Sequence, residues 1–153
     1  MVAAYYKYKK ESLNLKFISA KDTLKLMQGA IKEYKLSNSI YLKRAIIGYF
    51  QDFSEYIIDM SETYLVITGN YTDGCSGIEL IKRANLYDFI DDNLAKFLVS
   101  VVILRNRYTH DYYKRDKIEN DILMYSIEKM ELLEIFLQIT EEKVRLSATN
   151  YNR

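Results

Sequence analysis

The sequence is poor in the residues that end helices and turn chains. None of its 153 residues is proline and only five are glycine, where an average composition would supply about eight and eleven. Helices tolerate that shortage, because neither residue suits a helix interior, whereas turn-rich β architectures depend on both. A single cysteine, Cys75, excludes an intrachain disulfide, and with a single histidine one chain cannot build a zinc site that needs two imidazoles or two thiolates. Charge of one sign is also missing. Lys and Arg number 22 against 21 Asp and Glu, a net charge of +1, so no global field draws the chain onto nucleic acid or an anionic membrane, and any such binding needs a local patch. The longest uncharged apolar run, Phe97 to Leu104, has eight residues, against about 18 needed to cross a bilayer. The first ten residues lack the apolar core of a signal peptide. No glycine-rich phosphate loop is present, which excludes a kinase or nucleotidyltransferase built on one. These absences predict a cytoplasmic protein with no membrane partner and Cys75 reduced, folded as a single domain over residues 1–153 with residues 1–12 frayed.

What the sequence does contain is aromatic mass and helical periodicity. Fifteen Tyr and six Phe must fill much of the core and also reach the surface. From Ser39 to Thr68, Ile46, Phe50, Phe53, Ile57, Met60, Tyr64 and Ile67 follow one another at spacings of four and three, one stripe along a helix that Ser37 or Ser39 can cap. The stretch Asn70 to Gly77 (NYTDGCSG) is the main loop. Upstream, Leu24, Met27, Ile31 and Tyr34 predict a shorter helix; downstream, Ile78 to Ala84 predicts a short one. Asp91 or Asp92 can cap a helix running through Phe97 to Tyr112, whose middle, FLVSVVIL, is apolar all round and therefore central. A last amphipathic segment, Asp116 to about Leu146, carries Ile118, Ile122, Tyr125, Leu132, Leu133 and Phe136. The fold class this predicts is all-α, an up-and-down bundle of four main helices plus a short helix.

The central helix changes character at Arg105. Behind it lies the apolar run; from it follows RNRYTHDYY, which holds the one histidine, His110. A guanidinium next to buried apolar surface is costly unless paired or used. Arg and His together satisfy what RNA cleavage without metal requires: the guanidinium holds the scissile phosphate and stabilises its extra charge, and the imidazole moves protons at the 2′-hydroxyl or the leaving oxygen. Neither role needs a cofactor. An equally simple chemistry is open, in which both cations only complement the helix C-terminus and Tyr112 is core. Geometry adds a condition. On an ideal helix Arg105 and Tyr112 share a face, while Arg105 and His110 stand about 140° apart, so their convergence needs a distorted helix end or a second subunit. Five basic residues (Arg105, Arg107, Lys114, Arg115, Lys117) face two acidic ones between positions 105 and 117, a local basic surplus that suits RNA and equally suits a solvated helix end. The run Tyr5 to Lys10 mixes aromatic and basic groups as single-strand binders do, and equally reads as a bland tail. Asp91-Asp92 reads as a cap before a metal pair, and Cys75, without a basic neighbour, is not an activated nucleophile.

Arg105, four residues, His110, one residue, Tyr112 matches the RX4HXY signature of the HEPN superfamily, and Asn106 after the Arg matches the form usual in HepT-like toxins. From this chain's own residue frequencies the match arises by chance at a rate on the order of 10⁻⁴ to 10⁻³. The stretch Arg44 to Asp59 (RAIIGYFQDFSEYIID) resembles the helix that precedes the motif in that family, and the resemblance runs from about Leu42 to Ile139; the loop Asn70 to Gly77 departs from it. The resemblance implies a HEPN-like bundle and the toxin of a type VII-like toxin–antitoxin module, a metal-independent RNA endonuclease acting as a homodimer with Arg and His of both subunits on one cleft. It implies that Arg105 binds and polarises the scissile phosphate, His110 is general acid/base and Asn106 orders the pair, with Arg107, Lys114, Arg115 and Lys117 as candidate RNA contacts. It also implies a nucleotidyltransferase (MntA-like) antitoxin that attaches AMP to Tyr112, with Tyr113 a second candidate. Close relatives with a similar run are non-catalytic nucleotide- or substrate-binding partners of minimal nucleotidyltransferases, and that alternative stays open.

Overall fold

The structure is a computed structural model, and it describes the backbone of residues 2–149 and the side chains of residues 9–145. Among these residues there are six α-helices and no strand: α1 (Val2–Ser37), α2 (Ile40–Ile67), α3 (Gly77–Leu86), α4 (Asp92–His110), α5 (Arg115–Glu128) and α6 (Met130–Thr149), with a 3-10 turn at Tyr112–Lys114 between α4 and α5. No helix among them is long and apolar enough to cross a membrane.

The α2 stripe faces inward as its spacing predicts. Ile46, Phe50, Phe53, Ile57 and Met60 are buried, and Tyr64 and Ile67 pack against the same core. Ser39 is the cap, its hydroxyl accepting from the Tyr41 N–H at 3.2 Å. Asn38, at φ 54°, closes α1 with its N–H on the Tyr34 carbonyl, so α1 turns straight back along α2. Asp91 caps α4 through the Leu94 N–H at 2.8 Å, while Asp92 accepts from the Asn85 amide at 3.0 Å, which fastens α4 to the end of α3.

Three boundaries differ from expectation. α1 is not a short helix near Leu24: its backbone is helical from Val2, and Leu13, Phe17 and Ala20 continue the buried stripe of Leu24, Met27 and Ile31. The final segment is two helices, broken at Lys129 (φ −110°, ψ 14°). The break serves packing: α5 lies against α2 and α4, whereas α6 crosses to α1. α4 stops at His110 because Asp111 leaves helical geometry (φ −98°, ψ 47°), and Tyr112 sits in the 3-10 turn, off the helix face it was expected to share with Arg105.

The core between these layers is aromatic at its centre. Phe136 of α6 meets Phe53 and Phe89 edge-on, at centroid distances of 6.1 and 6.5 Å, and Phe89 stacks on Tyr64 at 4.6 Å. Nearer the α4–α5 seam, Phe97 stacks on Tyr125 at 5.8 Å. These contacts fix α4 from its first turn to Leu104, so the position of Arg105 is set by the core beneath it.

Candidate functional site

α4 buries Leu94, Ala95, Leu98, Val101, Val102 and Leu104, and at Arg105 it emerges from the apolar interior. The Arg105 side chain is 29% exposed, and its Nη2 forms an ion pair with Oε1 of Glu55 on α2. Nη1 donates to Asn106 Oδ1 at 3.1 Å, and the Arg105 carbonyl accepts from the Thr109 hydroxyl at 3.3 Å. The guanidinium is thus held at two of its nitrogens with further N–H groups left over for an oxyanion. Asn106, which the resemblance assigns to ordering the Arg–His pair, contacts Arg105 and not His110.

His110 is exposed in the last turn of α4, and its side chain makes no hydrogen bond or ion pair among the described residues. The helix is regular up to this residue, so Arg105 and His110 of one chain keep their separation of about 140° around the axis. The structure therefore places Arg105, Asn106 and Glu55 together and leaves His110 on a different side of the same helix.

The basic residues divide into two groups. Arg107 faces Asp121 at 3.7 Å in a groove of about 410 Å³ between α4 and α5 that Ile103 and Met124 also line. Tyr112, Tyr113, Lys114, Arg115, Asp116 and Lys117 line a separate open depression of about 320 Å³. There Tyr112 and Tyr113 meet edge to face at 6.1 Å, and both rings are more than two-thirds exposed. Lys114 Nζ lies 5.5 Å from the Tyr113 ring centroid.

Two carboxylates beside the motif were not anticipated. Glu55 follows the buried Phe53 and Ser54 on α2 and supplies the counter-charge to Arg105. Glu119 is 2% exposed on α5; Arg44 Nε of α2 lies 3.3 Å from its Oε1, and the Tyr108 hydroxyl of α4 donates to the same oxygen at 3.5 Å. The Arg115 guanidinium stacks over the Tyr108 ring at 5.3 Å, so this cluster braces the turn that carries Tyr112. The sequence carries no local signal for either one, because each partner is an arginine on another helix. Of the aromatic and basic run at the N-terminus, the side chains up to residue 8 lie outside the described residues.

The chain matches no protein-family profile and no curated protein. It shares its fold with solved structures. A chain from a crystal structure described as a toxin–antitoxin with AMP-PNP superposes with a TM-score of 0.70 at 19% identity, over 84% of this chain and 96% of that one. A second, from a mutant of the toxin–antitoxin MntA-HpeT, superposes with a TM-score of 0.71 at 20% identity, over 85% and 97%. The class the fold defines is an all-α helical bundle. Within it, the arrangement of helices is similar to that of one chain in each of these two toxin–antitoxin structures.

Proposed function

We propose that this protein is the toxin of a toxin–antitoxin pair, a HEPN-type endonuclease that cuts RNA without metal as a homodimer. The observation that carries the reading is Arg105: a partly buried guanidinium at the end of an apolar helix, held by Asn106 and Glu55, five residues before an exposed, unengaged His110. Arg105 would bind two oxygens of the scissile phosphate and stabilise the charge that builds on them. One His110 would take the 2′-hydroxyl proton as that oxygen attacks phosphorus, and the other would protonate the departing 5′-oxygen, leaving a 2′,3′-cyclic phosphate and a free 5′-hydroxyl. Two imidazoles require two chains, and the separation of Arg105 from His110 within one chain supports the same requirement. The exposed Lys114, Arg115 and Lys117 would contact flanking phosphates.

Control would come from a nucleotidyltransferase antitoxin that attaches AMP to Tyr112. The Tyr112 hydroxyl is exposed beside the basic depression, where an added phosphate would compete with RNA for the same cations. Tyr113 is as exposed as Tyr112, so it is the second candidate. Chains of this fold in toxin–antitoxin structures, one of them holding AMP-PNP, support the partnership.

The test is expression of the chain alone beside His110→Ala and Arg105→Ala. Wild type should arrest growth, and the purified protein should cut RNA in the presence of a chelator, while both variants do neither. A wild type that neither slows growth nor cuts RNA refutes the ribonuclease and leaves the non-catalytic nucleotide-binding partner. Intact mass after co-expression with the partner enzyme tests the modification: a gain that persists in Tyr112→Phe moves it to Tyr113 or elsewhere.

A further inference from the structure

We propose that Glu55 is the positioning residue of Arg105, holding the guanidinium at the mouth of the site and occupying it until a phosphate displaces the carboxylate; its catalytic consequence rests on the ribonuclease reading above. Glu55 lies in the middle of α2, directly after Phe53 and Ser54, which are 1% and 0% exposed, so the core fixes the backbone that carries it. One of its oxygens is enclosed and faces Arg105, while the side chain as a whole is 45% exposed. The carboxylate can therefore release the guanidinium to an incoming anion and turn to water.

The pair solves a specific problem. A free arginine side chain gives up rotamer freedom when it is fixed, and a guanidinium misplaced by an ångström can cost about a hundredfold in rate. Glu55 at Nη2 and Asn106 at Nη1 set the plane of the guanidinium before substrate arrives. The same negative charge opposes an approaching phosphodiester. Removing it should thus act in opposite directions on binding and on turnover, a split that general damage to the fold does not produce.

Two measurements test this on the full-length protein. The first needs no RNA: the rate at which phenylglyoxal modifies Arg105, read by peptide mass. In Glu55→Gln and Glu55→Ala the rate should rise at least threefold over wild type, with Glu55→Asp between wild type and these two, and Glu33→Gln, a charge loss at an exposed position of α1, unchanged. A rate unaltered in both Gln and Ala variants overturns the proposal, whether or not the protein cuts RNA. The second is cleavage and binding of a short oligoribonucleotide, with its 2′-O-methyl analogue as the uncleavable probe. Glu55→Gln should lower kcat by about 10- to 100-fold while binding the analogue as tightly as wild type or up to about fivefold tighter, and Glu55→Asp should recover part of kcat. A kcat within twofold of wild type, or a loss confined to KM and Kd, overturns the positioning role. If wild type does not cleave but Glu55→Gln still exposes Arg105 to phenylglyoxal, the ribonuclease reading falls and the clamp stands.

Discussion

Replacing Arg44 by Ala tests how the α4–α5 end of the bundle is held. Glu119 is almost wholly enclosed, and its carboxylate has two partners, Arg44 Nε at 3.3 Å and the Tyr108 hydroxyl at 3.5 Å. Removing one member of a fully buried ion pair costs about 3–5 kcal/mol, because a charge is left in a poor medium. Here the Arg44 side chain is 53% exposed, so water reaches the pair from that side and fills part of the gap; Tyr108 keeps one bond. The expected cost is about 2 kcal/mol, which for a domain of this size lowers Tm by about 4–8 °C. Glu119→Gln keeps a hydrogen-bonding group and frees an arginine that water already reaches, so it should cost about 1 kcal/mol or less. The double variant Arg44→Ala with Glu119→Gln removes both charges and should be more stable than Arg44→Ala alone. Urea unfolding followed by circular dichroism measures all of these, with the m value checking that the unfolded state is unchanged. An Arg44→Ala variant within about 0.5 kcal/mol of wild type, or single changes that simply add in the double variant, would refute the reasoning.

Other consequences are open to direct measurement. Asn38 sits at φ 54°, so Asn38→Ala should cost about 1 kcal/mol, whereas Asn38→Gly should not destabilise, both read from urea midpoints. Burial, and then the Asp88 charge, raise the Tyr64 phenol above its usual 10.0. The folded state therefore keeps this proton when an unfolded chain has lost it, and the contribution is complete below pH about 10 and is lost as pH rises through the raised value. Asp88→Asn, which suits the left-handed backbone there (φ 66°), should shift the Tyr64 titration downward in an ultraviolet pH titration and weaken the alkaline loss of stability. For RNA, Lys117→Gln should reduce the slope of log K against log salt by about 0.7, the value of one single-strand phosphate contact. Arg107→Gln should change it less, because Asp121 already engages that guanidinium.

How much of this was legible in the sequence depends on whether the signal was local. The α2 stripe is read off spacings of three and four, and the caps at Ser39 and Asp91 off residue type. Arg105 and His110 stand out because a charge interrupts an apolar run and because the motif is recognisable. The long α1 was legible too: Leu13, Phe17, Ala20, Leu24, Met27 and Ile31 alternate steps of four and three, but the Tyr- and Lys-rich start obscured the pattern. The break at Lys129 was not, since neither Gly nor Pro stands there and the cause is tertiary, α5 and α6 having different packing partners. Glu55 and Glu119 were hidden for the same reason. Each is one acid on an amphipathic helix, and its meaning lies in an arginine on another helix.

Arg44 and Glu55 lie eleven residues apart on α2, three turns and a rotation of only about 20°, so they project from nearly the same side of that helix. They meet partners of opposite sign, Arg44 an acid on α5 and Glu55 a base on α4. The two pairs therefore act as a keyed connector with reversed polarity. If the α4–α5 hairpin slid three turns along α2, Arg105 would face Arg44, an alignment that like charge forbids. The register that brings the motif to its place is thus written as a sign pattern along one helix face: reversing one pair alone would give both α2 positions the same sign and erase it, whereas reversing both pairs together would preserve it.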